Sequence, residues 1–428
     1  MAPTRRRIGK SKRQTRARSL YEMVGGGAED KYVLLSCPEF DDVVKEIMIN
    51  DGAKEETFIA KPNADGKRYE QFLKNIELPG NEETRKQFVK KDTIVSSTHF
   101  YRGYINWSSF ADKSPAIKMS KDTTLKIRGA KVIFLLYLSF NEPTATSIID
   151  QFIFLNSLSH YGIDELNIVL PYFPVGTMER IVGEGETPIA HSLAQMLNSI
   201  PEGSAKTNLY MFDIHALCSR FFFHTNVRPI LLSMMDEYIN HIKTNYDDQK
   251  NIIVFPDDGA KKRFEKLIEG RGFLTITCAK KRVGGERLIR IEEGLQHLGT
   301  EKIFNDPPGT KINLFIIDDL VQSGGTLLKT IEGIKASLPP VSGETPIVNY
   351  IPIVTHAVFP DAEKESIFFI KSLNKVDKFI TTNSRPLKAA QLKKDYSDKV
   401  TVCSIAGALQ KIFSNKQDET YIAPYIIN

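Results

Sequence analysis

The sequence predicts a doubly wound α/β protein built from two parallel-sheet halves related as an internal repeat, and three observations carry that reading. From about Lys126 onward, short β-branched runs alternate with longer stretches of helical period. The runs are continuously apolar, as strands buried on both faces of a parallel sheet are. The same rhythm occurs on either side of a polar stretch at Asp247–Lys250, and 428 residues suit two or three domains of roughly 150 residues each.

The first half offers strands at Val132–Leu138, Leu166–Phe173 and Asn208–Ile214, separated by helical patterns at Thr144–His160, Ile189–Ile200 and Leu231–Thr244. The second offers strands at Asn251–Phe255, Leu274–Cys278, Ile312–Ile317, Ile347–Val354, Ser366–Ile370 and Val400–Ser404, with helices at Lys261–Ile268 and Gly325–Ala336. Tyr32–Ser36 also has strand character, but Asn63–Asp92 is charged and punctuated by glycine. The expected division is therefore a basic tail (1–20), a peripheral extension (21–100), an N-terminal α/β domain (101–248) and a C-terminal α/β domain (249–428).

With 41% apolar and 25% charged residues, the chain has material for two cores. No apolar run approaches the roughly 18 residues of a membrane helix. Cys37, Cys218, Cys278 and Cys403 form no CxxC pair, which argues against a disulfide framework or structural zinc and for a reducing, cytoplasmic compartment. Eight arginines and lysines between Arg5 and Arg18 precede the first acidic residue, Glu22; subtracting them from the net +5 leaves −3 for the remainder. The body is thus mildly acidic, and nucleic-acid binding is expected at most through the tail. That tail lacks the apolar segment of a secretory signal. As a solvated tail, a nuclear or nucleic-acid patch, an organellar presequence, or a degenerate peroxisome-type signal at Arg7, Ile8 and Gln14, it leaves nuclear or organellar targeting open.

The strongest chemical signal is I-N-L-F-I-I-D-D-L-V-Q-S-G-G-T at 312–326. A buried strand ends in Asp318 and Asp319, and Gln322-Ser323-Gly324-Gly325-Thr326 then opens a helix. The glycines let backbone N–H groups approach an anion, Ser323 and Thr326 add hydroxyl donors, and the helix turns its positive end to a phosphate. Two carboxylates at the carboxyl end of a strand stand where α/β proteins bind ligands, and they suit the ring hydroxyls of a ribose.

These residues resemble the phosphoribosyl-diphosphate loop of type I phosphoribosyltransferases and of ribose-phosphate diphosphokinases. Further segments resemble the diphosphokinases specifically: L-P-Y-F-P-V-G-T-M-E-R at Leu170–Arg180 with Pro188–Ile200, F-D-I-H-A-L-C-S-R-F-F at Phe212–Phe222, V-F-P-D-D-G-A-K-K-R at Val254–Arg263, T-C-A-K-K-R at Thr277–Arg282, Thr355–His356 and Ser404–Gly407. The resemblance runs from about Phe110 to the C-terminus, and its wording is nearest the plant-type class II enzymes. It implies two domains of the type I phosphoribosyltransferase fold, ATP and ribose 5-phosphate as substrates, and transfer of a diphosphoryl group to give 5-phosphoribosyl 1-diphosphate for nucleotide synthesis.

Carried over residue by residue, the resemblance implies that Lys280 and Arg282 are the catalytic cations, on a segment hinged at Gly284 and Gly285. Asp318, Asp319, Gln322, Ser323, Gly324, Gly325 and Thr326 would hold ribose 5-phosphate. Phe110, Asp112, Thr177, Met178 and Arg180 would hold ATP. His215 and Asp257 would place Mg²⁺, with Asp213 on the same face as His215. Phe110 and Asp112 match a loop that reaches adenine from a neighbouring subunit, so a homo-oligomer is implied. Class I enzymes have Arg-Gln where Thr177 and Met178 stand, an aspartate at Gln322 and a glutamate at Ser114; the first two of these departures follow the class II pattern and argue for a subclass. A non-catalytic subunit that tunes an active partner is the alternative, and a single-domain nucleobase phosphoribosyltransferase is a third reading.

Overall fold

A computed structural model describes residues 31–54, 95–140, 144, 146–181, 183–201, 207–283, 286–293, 307, 309–337, 346–359 and 373–414, apart from the side chains of 279–293. The first half runs β1 (Tyr32–Ser36), α1 (Asp41–Asn50), β2 (Val95–Ser96), β3 (Phe100–Arg102), a hairpin of β4 (Ile105–Ser109) and β5 (Pro115–Met119), and α2 (Lys121–Lys126). It continues with β6 (Lys131–Leu135), α3 (Ile148–Leu158), β7 (Glu165–Val169), α4 (Ile189–Asn198), β8 (Thr207–Phe212), β9 (Val227–Leu232) and α5 (Met235–Asn245). The second half runs β10 (Lys250–Phe255), α6 (Asp258–Ile268), β11 (Leu274–Val283), β12 (Glu286–Glu293), β13 (Lys311–Val321), α7 (Gly325–Ser337), β14 (Ile347–Ala357), β15 (Phe379–Thr382), α8 (Pro386–Asp395), β16 (Val400–Cys403) and α9 (Ala406–Ser414).

Two sheets of matching order result, β2-β3-β1-β6-β7-β8-β9 and β12-β11-β10-β13-β14-β15-β16. In each, every neighbouring pair is parallel except the antiparallel edge pair, β2 with β3 or β11 with β12. Leu34, Ile133, Ile168 and Leu209 in the first sheet, and Ile252, Leu314 and Ile353 in the second, are at most 1% exposed. Burial on both faces accounts for strands that lack polar alternation. Helix starts follow local chemistry: Ser147 and Asp150 form a reciprocal capping box on α3, and Asp257 caps α6.

Several expectations need correction. The described parts of the stretch 21–100, residues 31–54 and 95–100, are not peripheral, because β1 lies between β3 and β6, and Tyr32, Val33, Leu34 and Leu35 are buried. Helix α1 packs Val43, Val44, Ile47 and Met48 into the same core, so the first α/β unit begins near residue 32 and not at 101. Leu231 and Leu232 belong to β9, an edge strand, where Pro229 costs no ladder bond on the open side. The predicted strand Ser366–Ile370 and the basic tail lie outside the described residues.

Position 248/249 separates the sheets but not the cores. Helix α9 leaves the second sheet and packs on the first: Phe413 meets Tyr32 and Tyr210 at ring-centroid distances of 5.4 and 5.1 Å. Helix α5 leaves the first sheet and reaches the second, where the Tyr238 hydroxyl donates to Thr355 Oγ1 at 3.1 Å. Lys411 on α9 pairs with Glu237 on α5 at 2.7 Å, so the two exchanged helices are also tied to each other. Residues of both halves fall in one apolar cluster.

Candidate active site

A cleft of about 980 Å³ opens where loops at the carboxyl ends of the two sheets meet. From the first half it receives Thr177, Glu179, Arg180, His215 and Ala216–Cys218; from the second, Pro256–Gly259, Arg263, Asp318–Leu327 and, as floor, Ile316 and Val354.

On the second sheet, β13 carries Asp318 and Asp319 to the cleft, and the chain turns into α7 through Gly324 at φ +79°. That left-handed conformation suits glycine and would strain a branched residue. The leading N–H groups of α7 lack intrahelical acceptors, as at any helix N-terminus, and Ser323 and Thr326 stand exposed beside them. The neighbouring strand β10 ends in Pro256-Asp257, where Asp257 Oδ1 accepts from Ala260 N at 3.0 Å. A methyl group on Gly259 would come 3.1 Å from that oxygen, so the cap leaves little room for a side chain.

On the first sheet, β8 leads into Asp213, whose φ is +37°. This uncommon conformation is held by a fully buried carboxylate that accepts from Ser233 Oγ (2.7 Å), Met234 N (3.1 Å) and Thr355 Oγ1 (2.6 Å). Asp213 is therefore a latch between the halves, which corrects its expected association with a metal site. Its turn throws His215 into the cleft. Beside it, a methyl group on Gly176 would come 3.3 Å from the Phe173 carbonyl oxygen, a tight approach to backbone, and would be in ordinary contact with His215 Cβ at 3.5 Å.

The halves meet chemically at Asp319, which is 1% exposed. Its Oδ1 accepts from Arg263 Nη1 at 2.5 Å and its Oδ2 faces His215 Nδ1 at 2.8 Å. Arg263 Nη2 also donates to the His215 carbonyl at 2.7 Å. Burial alone would raise the Asp319 carboxyl, but the His215 hydrogen bond and the Arg263 charge outweigh it and hold the group below the usual carboxylate range. Asp318 goes the other way: burial, then the Asp319 charge and hydrogen bond, push it well above that range. Both Asp319 oxygens are thus engaged within the protein, so of the two predicted ribose acceptors it is Asp318 that presents a partly exposed carboxylate. Cys278 is no candidate nucleophile, because burial and the Asp257 charge push its thiol up to about 12.

The cleft gathers Thr177, Arg180, His215, Asp257, Asp318, Asp319, Gln322, Ser323, Gly324, Gly325 and Thr326 from the predicted set. Met178 is exposed and is not part of its lining, and Phe110 and Asp112 stand at the tip of the β4–β5 hairpin. There Asp112 accepts from Ser114 N and Oγ at 3.0 and 2.6 Å, bonds that hold its carboxyl below the usual range. Lys280 and Arg282 fall on β11, but their side chains, like Gly284 and Gly285, lie outside the described residues. Arg263 was not predicted. The signal for it was helical period, since it stands four residues after Gly259 on the helix that Asp257 caps.

Among curated proteins, the chain is 35% identical over 322 residues to ribose-phosphate pyrophosphokinase 4 of Oryza sativa subsp. japonica, spanning 74% of this chain and 90% of that one. With ribose-phosphate pyrophosphokinase 4 of Arabidopsis thaliana it shares 33% over 329 residues, 75% and 88% of the two chains. The chain belongs to the ribose-phosphate pyrophosphokinase family. No family model matches it. In fold it is similar to a solved phosphoribosylpyrophosphate synthetase from Mycobacterium smegmatis, with a TM-score of 0.56 at 15% identity, covering 90% of this chain and 99% of that one. A pyrophosphokinase of two complete sheets leaves no place for the single-domain nucleobase phosphoribosyltransferase reading.

Proposed function

We propose that the enzyme transfers the diphosphoryl group of ATP to the anomeric hydroxyl of ribose 5-phosphate, with the sugar phosphate at Ser323–Thr326 and ATP on the side of Thr177, Arg180 and His215. One observation carries this reading: an anion-binding turn from one sheet and two loops from the other, one bearing Arg180 and one bearing His215, line the same cleft, together with the twin aspartates. At about 980 Å³ the cleft is at the upper end of the roughly 300–1,000 Å³ of ligand pockets, which suits two phosphorylated substrates. The anomeric oxygen attacks the β-phosphorus, the bridging bond to the α-phosphate breaks, and AMP leaves. Such a transfer needs alignment and cations more than covalent help. Lys280 and Arg282 are the residues we assign to the non-bridging oxygens as charge builds there.

A divalent cation suits the donor set. Among the described lining residues, the carboxylates of Glu179, Asp257, Asp258 and Asp319 outnumber the guanidinium groups of Arg180 and Arg263, a negative excess that disfavours a triphosphate. Mg²⁺ is commonly held through one or two carboxylates plus substrate phosphates and water. We assign Mg²⁺ to His215 and Asp257, with Asp318 close at hand. When bound, it neutralises phosphate charge and orients the triphosphate.

The exposed Phe110, at the hairpin tip, supports a homo-oligomer in which this loop reaches the cleft of a neighbouring copy. The decisive assay incubates the purified chain with ATP, Mg²⁺ and ribose 5-phosphate and follows AMP and the 1-diphosphate by phosphorus NMR. Formation of both, abolished by EDTA, is expected; absence of AMP at every protein concentration sinks the proposal. Light scattering across the same concentrations tests the oligomer, which requires activity per chain to fall on dissociation.

A further inference from the structure

Arg263 is nearly enclosed, its side chain 8% exposed, and it joins groups from both halves. One arm of its planar fork reaches Asp319 on β13, and the other reaches the backbone carbonyl of His215 beyond β8. Asp318 lies 3.7 Å from the same Nη1 atom, so the guanidinium also offsets the charge of a second carboxylate. An ionised Asp319 can only accept, so the ring atom facing it, His215 Nδ1, must carry the proton. With Nδ1 held by Asp319, Nε2 is the ring nitrogen left for the cleft. Were Arg263 absent, Asp319 would lose its counter-charge and the His215 backbone would lose an anchor.

We propose that Arg263 is a positioning residue for the transfer: through Asp319 and the His215 carbonyl it fixes the ring of His215 so that Nε2 is presented to the cleft. The mechanical part rests on the reaction assigned above, and the geometric part does not. A lysine cannot replace it, because one ammonium group cannot span two acceptors held in a fork.

Two readouts test this on the full-length chain. With saturating Mg²⁺, Arg263→Ala should lower kcat by about 10–100-fold, the usual scale for losing an outer partner of a ligating histidine. KM for ATP and for ribose 5-phosphate should each stay within about threefold. Arg263→Lys should recover little, whereas added guanidinium ion should partly restore the alanine variant. In a His215→Gln background the Arg263→Ala effect should largely vanish, since one residue acts through the other. A rise in KM with kcat unchanged would make Arg263 a direct phosphate contact and overturn the proposal; so would additive losses in the double variant. The second readout needs no turnover. Histidine-selective ¹⁵N NMR, with the His215 signals assigned by His215→Gln, should report protonated Nδ1 in the native chain and a tautomer mixture in Arg263→Ala. If Arg263→Ala does not fold, Arg263→Lys is read in the same two ways. A native chain without activity but with the expected NMR change would remove the reaction and keep the positioning role; an unchanged His215 spectrum removes the positioning role whatever the activity.

Discussion

The connection after β6 and the connection after β13 occupy the same place in two sheets of matching order, yet they end differently. After β13 come two carboxylates and a glycine turn that open onto the cleft. After β6 come Leu136, Tyr137 and Leu138, all buried, and the stretch from 136 to 147 contains no glycine. There Gln151, from α3, fills the role a ligand would have: its Oε1 accepts from Tyr137 N at 2.9 Å and its Nε2 donates to Tyr137 O at 2.6 Å. The strands next to the edge diverge too. On β3, Arg102 donates from Nη2 to Asp41 at 2.5 Å, whereas β11 carries Lys280 and Arg282 toward its far end. The same architecture therefore serves as a binding turn where polar backbone is left open, and as packing where a side chain closes it.

The contrast can be broken by substitution. Lys280→Ala should have the largest effect, a loss of about 10²–10³ in kcat with KM nearly unchanged, in the AMP-release assay; near-normal turnover would strip β11 of its catalytic part. Next, Gly324→Val forces a branched residue to φ +79°, a strain of about 1–3 kcal/mol. It should raise KM for ribose 5-phosphate by about tenfold or more, because the displaced N–H groups no longer meet the phosphate. The converse change in the closed connection, Gln151→Met, strands the Tyr137 N–H and C=O, costing about 1–3 kcal/mol and several degrees of Tm while leaving kcat per folded molecule intact. An equal fall in kcat would mean that both connections belong to the site.

The smallest effect concerns the seam between the halves. His356 is buried, with Nε2 on Phe212 O at 3.0 Å and Nδ1 on Ser384 Oγ at 2.9 Å. Burial lowers its affinity for a proton in the folded protein. Since the unfolded chain takes up that proton near pH 6.5, the associated stability is present above about 6.5 and is lost as pH falls below it. Calorimetry should show Tm declining from pH 7.5 to 5.5, with a shallower slope in His356→Gln. A slope unchanged by that substitution would assign the pH response to other groups.

Much of this was legible in the sequence because it depends on neighbours along the chain. The 312–326 segment carries strand, acid pair, turn and helix in fifteen consecutive positions; strand and helix form there, although the strand runs on through the acid pair to Val321 instead of ending at Ile317. Strand β1 was harder to place: Y-V-L-L-S is only five residues long, and nothing local shows that it inserts between β3 and β6. Strand β9 was partly read as helix, since Pro229 weakened its strand pattern, while β15, at four residues, gave too short a run. Arg263 was hidden in K-K-R, which looks like a solvated basic face until Asp319 arrives from 56 positions away. Likewise, Asp213 looked available to a metal until Ser233 and Thr355 were brought against it.

The crossing of α5 and α9 bears on how the polypeptide is made. Phe413 covers Tyr32 and Tyr210, so the hydrophobic interior to which β1 contributes is completed by α9, the last of the described helices to be synthesised. During synthesis the amino-terminal sheet must wait with an uncovered apolar face, the condition in which nascent chains aggregate or recruit chaperones. A premature stop just before residue 406 would accordingly harm the half of the molecule most distant from it in the gene.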